Sequence, residues 1–415
     1  MNNNSVRVVV TGMGVISPVG LSVAEAWRNV VAGRSGIRRI TQFDVSDEIW
    51  RVKIAGEAWG FDPLNYLTAR EARRADRTTQ FALSAVAEAL AQSRLTITPS
   101  IADEMGVIIG CGSGGIWTYA SQYETLLTKG PHRMNPLLIP MEVVDSSGVQ
   151  VSIKYGLHGP NFGVVSACAT GADAIGMAQE TIRRGDAQAM IAGGTEAAVH
   201  PLGIAGFDNL GALSRRKDCP AEASRPFDKD RDGFVLSEGA GVLVLESLEF
   251  ALARGAEPLA EILAQAGTGD GSHFTAPDES AAQAARAVRR ALQKAGVQPG
   301  EVDYINAHAT GTPVGDPLEA RAYAQVFGDR MPPISSTKST TGHMLGAAGA
   351  AEAIWCAQTI RDGMLPPTIN YHTPDPRCPI DCVPNIARTA KVDVALSAAF
   401  GFGGHNTILV FRKFV

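Results

Sequence analysis

The chain has 415 residues, which is enough for one large domain or two fused halves. A hydrophobic fraction of 45% and a charged fraction of 19% are ordinary for a soluble globular enzyme. No apolar run approaches the ~18 residues of a membrane span, so we expect no membrane insertion. The formal net charge of −5 and the lack of a nucleic-acid-binding motif argue against a nucleic-acid partner.

The cysteines and the amino terminus bear on where the protein works. Of the six scattered cysteines, only Cys378 and Cys382 lie close together in sequence, and no second pair completes a zinc site. The first five residues are polar and do not resemble a signal peptide. We therefore expect a reduced, cytoplasmic protein with no bound metal.

Short β-branched runs alternate along the chain with alanine-rich stretches. The runs predict buried strands at residues 6–10, 106–109, 189–192, 242–245, 304–305, 395–398 and 408–411. The alanine-rich stretches predict helices at residues 79–93 and 280–295. This alternation favours an α/β layered fold.

Two glycine-rich segments suggest a cofactor site, but neither carries the full motif. Gly12-Met13-Gly14 follows the first strand, yet Ser17 and Pro18 stand where a dinucleotide fingerprint needs a glycine and a helix. Residues 110–115 lack the Gly-Lys-Ser/Thr of a phosphate loop. We interpret the second segment as a tight turn.

A group of arginines follows the first of these segments. Arg70, Arg73, Arg74 and Arg77 are spaced i, i+3, i+4 and i+7, which predicts one face of a helix. A charged stripe of this kind is usually a solvated face.

Cys168 stands where an apolar, β-branched stretch meets small residues, and it is predicted to open a helix. A helix N-terminus offers free N–H groups and positive dipole charge, which favour thiolate over thiol. Small neighbours would let a substrate carbonyl approach closely. The pattern is typical of a nucleophile, although many cysteines are simply small buried hydrophobic residues.

Two histidines have comparable settings in the second half of the chain. His308 follows a short strand and precedes small polar residues, and His343 follows Gly342 and precedes a Gly/Ala run. The sequence also carries a faint internal echo. The segments at Cys168 and at His343 each lead into a small-residue helix and then into a strand that ends in glycines.

Together these segments resemble the β-ketoacyl-acyl carrier protein synthases, most closely the type II elongating enzymes. The similarity runs from Val8-Val9-Val10-Thr11-Gly12-Met13-Gly14 to Phe400-Gly401-Phe402-Gly403-Gly404-His405-Asn406, with residues 192–196 and 225–234 between them. The resemblance implies an α/β thiolase-like five-layer fold of two similar α/β halves. We place the halves at residues 1–255, which carry the cysteine, and 256–415, which carry both histidines.

The resemblance also implies a decarboxylative Claisen condensation in fatty acid chain elongation. Cys168 would take the acyl chain from an acyl carrier protein. Neutral imidazoles of His308 and His343 would then donate hydrogen bonds to the enolate formed from malonyl-acyl carrier protein. The product would be a 3-oxoacyl-acyl carrier protein, and no metal or organic cofactor is needed because the phosphopantetheine arrives on the carrier.

Further roles follow from the same resemblance. The backbone N–H groups of Cys168 and Phe402 match the family's oxyanion hole, and the Phe402 ring could gate the pocket. Lys338 would set the local electrostatics, and Glu352 matches an acid located behind the catalytic residues. His405 is a departure, because the family usually has threonine at that position.

Substrate and partner contacts complete the expected set. Thr310 and Thr312 match hydroxyls that bind the phosphopantetheine arm, Phe400 lies beside the gate, and Ser113 aligns with a position that lines the acyl pocket. The expected partners are the acyl carrier protein and a second copy of the chain in a homodimer. The expected carrier-docking residues are Arg70, Arg73, Arg74, Arg133 and Arg216.

Three alternatives share this fold. A biosynthetic thiolase needs a second cysteine near the C-terminus, and residues 400–406 contain none. A non-catalytic chain-length factor generally lacks the nucleophile, whereas Cys168 is present. A ketosynthase of a type II polyketide or polyene pathway would use the same chemistry, and the sequence leaves that alternative open.

Overall fold

The computed structural model describes residues 6–415. Its strands are β1 (Val8–Ile16), β2 (Arg38–Arg39), β3 (Ile54–Ala55), β4 (Met105–Gly110), β5 (Ala189–Glu196), β6 (Gly239–Ser247), β7 (Ala260–Gly269), β8 (Tyr304–Asn306), β9 (Ile334–Ser335), β10 (Met364–Leu365), β11 (Arg388–Thr389), β12 (Val394–Gly401) and β13 (His405–Arg412). Its helices are α1 (Val23–Val31), α2 (Ala69–Ala72), α3 (Arg77–Ser93), α4 (Pro99–Asp103), α5 (Ile116–Lys129), α6 (Leu138–Glu142), α7 (Ser146–Tyr155), α8 (Thr170–Arg184), α9 (Pro201–Asn209), α10 (Leu248–Ala253), α11 (Ala282–Ala295), α12 (Gly315–Phe327), α13 (Lys338–Thr341) and α14 (Ala348–Asp362).

The strand order repeats between the two halves of the chain. In the first half the order is β4-β5-β6-β1, with β4 and β5 parallel and the other neighbours antiparallel. In the second half β8-β12-β13-β7 has the same sequence of parallel and antiparallel pairs, and β9 adds an edge strand. Antiparallel pairing of Val8–Val10 with Ala260–Ile262 joins the two sets into nine hydrogen-bonded strands.

The helices divide into two outer groups and one central pair. Helices α3 and α7 pack on the strands of the first half, and α11 and α12 pack together on the second half, with α11 against β7 and β13. Helices α8 and α14 contact each other and strands of both halves, so they lie between the two sets of strands. This gives five layers, which confirms the predicted thiolase-like fold.

The central pair packs closely because small residues line the crossing. A Cβ on Gly171 would lie 3.0 Å from the backbone nitrogen of Ala350, and one on Gly349 would lie 3.0 Å from that of Ala172. Nearly the whole of α14 is buried, and its Trp355 stacks on Trp27 at 6.1 Å between ring centroids. The alanine-rich composition of both helices is therefore explained by their position between two layers of strands.

All seven predicted strands and both predicted long helices are confirmed, with shifted ends. The segment 260–269 had not been predicted as a strand, because its alanine and glycine residues have low β propensity; it forms β7 through pairing with β1 and β13. The predicted boundary after residue 255 falls in the loop between α10 and β7. The division of the chain into halves at residues 1–255 and 256–415 stays a prediction.

The prediction of one arginine-bearing helix face is wrong. Helix α2 ends at Ala72, and Asp76 caps a new helix by accepting a hydrogen bond from the Thr78 N–H. Arg77 turns inward to pair with the buried Glu238 carboxylate at 2.5 Å. Arg77 is therefore paired inside the protein, whereas Arg70, Arg73 and Arg74 are exposed. Among the described residues, no helix is both long and apolar enough to span a membrane.

Candidate active site

The nucleophile candidate Cys168 lies in a tight turn, Ala167–Ala169, that leads directly into α8. Ala167 has a left-handed backbone with φ of +50°, which is a strained conformation for a residue with a side chain. Two hydrogen bonds of Ser166 fix the turn to helix α8. The Ser166 hydroxyl donates to Asp173 at 2.5 Å, and the Ser166 N–H donates to the Thr170 hydroxyl at 2.9 Å. The predicted position at a helix start is therefore observed, with a short 3₁₀ turn before the helix.

The electrostatics of Cys168 differ from the expectation. Burial raises the pKa of the thiol from 9.0 to about 11, although the Phe402 N–H and the Lys338 charge both lower it. In the pocket without substrate, burial therefore opposes the preference for thiolate that the helix N-terminus predicts. Burial is the largest influence on this pKa, ahead of the Phe402 N–H and the Lys338 charge, and the Glu196 and Glu352 charges also raise it.

The two histidines are brought together from separate segments of the second half. His308 follows β8, and its backbone N–H donates to Glu319 at 2.8 Å. His343 follows Gly342, whose φ of +70° reverses the chain, and its N–H donates to the Val235 carbonyl at 2.8 Å. The two imidazole rings lie 5.3 Å apart between centroids and are nearly perpendicular, at 86°.

Both imidazoles are held neutral by their surroundings. Burial lowers the pKa of His308 well below 6.5, and the Lys338 charge and His343 act in the same direction. Burial and Lys338 likewise lower the pKa of His343 well below 6.5. A neutral imidazole carries one N–H and can donate a hydrogen bond without holding a positive charge. This is the state that the family resemblance implies for an enolate-binding role.

The charge that acts on all three groups comes from a buried ion pair. Lys338 and Glu352 are both almost fully buried and are bonded to each other, Nζ to Oε1. Burial raises the pKa of Glu352 to about 7, while Lys338 opposes that rise. The sequence had placed both residues near the site on resemblance alone, and the ion pair gives them a physical link to Cys168 and the histidines.

One residue of the site was missed by sequence reasoning. Glu319, on α12, accepts hydrogen bonds from the backbone of His308 at 2.8 Å and of Ala309 at 2.7 Å, and from the Tyr323 hydroxyl at 2.6 Å. Burial raises the pKa of Glu319 to about 7. The only sequence signal was an acidic residue eleven positions after His308, which is unremarkable until the fold turns α12 back against the strand end.

A single cavity of 420 Å³ connects these groups. The predicted site residues that line it are Cys168, His308, Thr310, Thr312, His343, Phe400 and Phe402. Lys338 and Glu352 lie behind this lining. Ser113 is not among the lining residues, because its hydroxyl is bonded to the Glu196 carboxylate. Its role in chain-length selection stays a prediction.

The predicted gate lies at the end of β12. Residues Phe402–Gly404 form a turn in which Gly403 has φ of +81°, and the Gly403 N–H donates to the carbonyl of Phe274 at 2.7 Å. Phe402 lies 6.4 Å from Phe207, measured between ring centroids. His405 is exposed, begins β13 and does not line the cavity. The unusual histidine therefore lies outside the catalytic chamber, beside the backbone of the turn.

The predicted docking arginines lie at the surface. Arg70, Arg73, Arg74 and Arg133 are exposed. Arg216 is half-buried, donates to the Asp230 carbonyl at 2.7 Å and lies 3.7 Å from Asp232. The Arg216 guanidinium is therefore partly engaged by groups of its own chain and is less available to a carrier.

No group of three or more His, Cys, Asp or Glu side chains arranged to hold a metal occurs within residues 6–415.

Comparison with known proteins identifies the family. The sequence profile for "Beta-ketoacyl synthase, N-terminal domain" matches residues 5–251, and that for "Beta-ketoacyl synthase, C-terminal domain" matches residues 259–372. The chain belongs to the β-ketoacyl synthase family. It is 47% identical over 414 residues to 3-oxoacyl-[acyl-carrier-protein] synthase 2 of Staphylococcus aureus strain MRSA252, covering 99% of both chains. It is 48% identical over 410 residues to the Synechocystis protein of the same name, covering 98% of both.

Solved structures of β-ketoacyl synthases superimpose over nearly the full chain. The ishigamide ketosynthase/chain length factor gives a TM-score of 0.92 at 37% identity, covering 99% of this chain and 100% of that one. A β-ketoacyl synthase from Burkholderia phymatum STM815 gives 0.91 at 37% identity with the same coverage. A type II polyketide ketosynthase, solved with its acyl carrier protein, gives 0.89 at 35% identity, again with that coverage.

Proposed function

We propose that this β-ketoacyl synthase condenses an acyl chain with malonyl-acyl carrier protein to give a 3-oxoacyl-acyl carrier protein, as in fatty acid elongation. The observation that carries the proposal is the meeting of one thiol and two neutral imidazoles at a single cavity. A nucleophile alone would support acyl transfer. The two uncharged donors supply what a decarboxylation step needs, which is a place for negative charge to develop.

In the first step the Cys168 sulfur attacks the carbonyl carbon of the acyl thioester. The bond from that carbon to the carrier's sulfur breaks, and the thiol proton ends on the released carrier thiol. Burial raises the pKa of Cys168 to about 11, so the thiol is the predominant form before substrate binds. The N–H groups of Cys168 and Phe402 hold the tetrahedral oxyanion.

In the second step malonyl-acyl carrier protein loses CO₂, and the electron pair of the broken C–C bond moves into the thioester as an enolate. His308 and His343 donate hydrogen bonds to the enolate oxygen. The nucleophilic carbon then attacks the acyl-cysteine carbonyl, and the C–S bond to Cys168 breaks. The cysteine sulfur takes up one proton from solvent water, so the products are CO₂, free thiol and a chain two carbons longer.

The remaining lining residues fit binding roles. Thr310 and Thr312 stand on the cavity wall beside His308, where hydroxyl groups can bind the amide-rich phosphopantetheine arm. Phe400, whose ring lies 6.0 Å from that of His308, and Phe402 narrow the cavity next to the nucleophile. The reaction as proposed uses no metal or organic cofactor from the protein.

We further propose the acyl carrier protein as partner, bound through Arg70, Arg73, Arg74, Arg133 and, more weakly, Arg216. The exposure of the first four and the carrier complex of the polyketide relative support this assignment. We also propose that the chain forms a homodimer. Large apolar side chains are exposed between residues 127 and 153, among them Leu127, Ile139 and Ile153, and a second copy of the chain would cover them. Sedimentation analysis should give twice the chain mass, and a monomer would refute the proposed homodimer.

We propose a cytoplasmic location, which the six free thiols support.

A type II polyketide ketosynthase is the second candidate, favoured by the solved polyketide ketosynthase, which is 35% identical to this chain. The 47–48% identity to two 3-oxoacyl-[acyl-carrier-protein] synthase 2 enzymes supports the first candidate. The test incubates the purified chain with malonyl-carrier and a panel of saturated acyl-carriers and polyketide-type starters. We expect 3-oxoacyl-carriers from the saturated chains, detected by mass spectrometry and absent with Cys168→Ala. Extension of polyketide starters alone would favour the second candidate.

A further inference from the structure

One buried carboxylate that the mechanism does not use joins both halves of the molecule. Glu196, the last residue of β5, is completely buried. Its Oε2 accepts hydrogen bonds from the N–H groups of Gly112 at 3.0 Å and Gly346 at 3.1 Å. Its Oε1 accepts the N–H of Ser113 at 3.1 Å and also the Ser113 hydroxyl. Within residues 6–415 no lysine or arginine forms an ion pair with this carboxylate, and the Cys111 thiol also donates to Oε1 at 3.5 Å. Burial raises the pKa of Glu196, and the hydrogen bonds from Ser113, Gly346 and Gly112 oppose that rise.

The hydrogen bond from the Gly346 N–H to Glu196 joins the two halves close to the catalytic cavity. Gly346 belongs to the turn Leu345–Ala347, two residues after His343 and directly before α14. Leu345 has φ of +46°, which is a strained backbone for a branched residue, and its side chain lines the catalytic cavity. A strained turn keeps its shape only when surrounding groups fix it. The hydrogen bond to Glu196 is made by Gly346, the residue directly after Leu345, so it can help to fix this conformation.

The turn also packs closely against the first half of the molecule. A Cβ on Gly194 would lie 2.3 Å from the Gly346 carbonyl oxygen, and one on Gly171 would lie 2.8 Å from the same atom. Gly346 therefore lies between β5 and the first turn of α8, where Gly171 is three residues after Cys168. A Cβ on Gly346 itself would lie 2.8 Å from the Glu196 carboxylate. Glycine at these positions lets the turn of the second half enter the first half.

We propose that Glu196 is a positioning residue that fixes the turn after His343 against the nucleophile's half of the molecule and thereby sets the place of the His343 ring. The inference rests on the proposed function, because it concerns the decarboxylation step assigned to His343. Loss of the carboxylate frees the Leu345–Ala347 turn and moves His343 relative to the enolate oxygen. The Cys168 turn has its own support in Ser166, Thr170 and Asp173. Because the Glu196 charge raises the pKa of Cys168, its loss should slow S-acylation far less than CO₂ release.

The test measures S-acylation of Cys168 and CO₂ release from malonyl-carrier separately. For Glu196→Ala we expect CO₂ release to fall by about ten- to a hundredfold, as when a buried hydrogen-bonded network loses its acceptor, with S-acylation changed much less. Glu196→Gln can keep an oxygen facing Gly346, so it should restore most of the CO₂ release. Gly346→Ala forces the turn away from the carboxylate and should show the same selective loss even if Glu196→Ala does not fold.

Glu88→Ala is the matched control. Glu88 also holds backbone N–H groups, those of Val15 at 2.9 Å and Val23 at 2.7 Å, but it lies on α3, away from the cavity. Its loss should lower the unfolding temperature and leave the ratio of CO₂ release to S-acylation within about twofold of the unsubstituted protein. An unchanged ratio in both Glu196→Ala and Gly346→Ala, or in Gly346→Ala alone if the other does not fold, would overturn the proposal. If the unsubstituted protein shows neither reaction, the proposed function itself fails.

Discussion

The ionisation of Cys168 gives a prediction whose size follows from the competition between burial and the helix N-terminus. A rise in pKa from 9.0 to about 11 corresponds to about 3 kcal/mol against the thiolate. A helix dipole returns roughly 0.3–2 kcal/mol. Burial therefore prevails in the pocket without substrate. At pH 8 about one Cys168 in a thousand should be ionised.

The perturbation is pH, and the assay is alkylation by iodoacetamide with peptide-resolved mass spectrometry. The rate at Cys168 should rise about tenfold per pH unit from pH 7 to pH 10 without reaching a plateau, because only the thiolate reacts. The exposed Cys219 is the internal control, because alkylation of its peptide in the same sample shows that the iodoacetamide is active. Lys338→Met should slow the reaction at Cys168 further at each pH, because the Lys338 charge lowers that pKa. A plateau below pH 9 would refute the reasoning, because it would show that the pKa of Cys168 is lowered, as the helix N-terminus predicts.

Three further outcomes are expected. His308→Ala or His343→Ala should spare S-acylation of Cys168 more than CO₂ release, and equal loss of both in a folded variant would contradict the division of roles. Charge reversal of Arg73 and Arg74 together should raise KM for acyl-carrier about five- to thirtyfold, leave small acyl-pantetheine substrates unaffected, and be mimicked by salt; identical carrier kinetics at low and high salt would make these arginines an ordinary solvated surface. Ser113→Phe should shorten the longest accepted chain, since each methylene excluded from an apolar pocket forfeits ~0.8 kcal/mol, and superimposable product profiles would remove Ser113 from chain-length control.

The elements and the three central residues could be predicted because their signals are local. β-Branched runs marked the strands, and small residues beside Cys168, His308 and His343 marked close approaches of the backbone. The echo between the Cys168 and His343 segments corresponds to the central pair of helices, α8 and α14. Their convergence on one cavity came from the family resemblance, because no spacing along the chain encodes it.

The rest depended on contacts between distant segments. The pKa of Cys168 depends on its burial, on the Phe402 N–H and on the Lys338 charge, none of which the sequence around residue 168 reveals. Glu319 and Glu196 act through backbone groups of other segments, so neither forms a motif. The arginine stripe failed for a local reason, since Asp76 caps a second helix where a continuous one was expected.

Mapping the acyl group on the protein tests the central claim most directly. The purified chain is incubated with an acyl-carrier, digested and analysed by mass spectrometry, and malonyl-carrier is then added to a parallel sample. We expect one acylated peptide, containing Cys168, whose acyl group disappears on addition of malonyl-carrier as CO₂ and a 3-oxoacyl-carrier appear in equal amounts. An acyl group on another cysteine, or one on Cys168 that malonyl-carrier does not remove, would contradict the account.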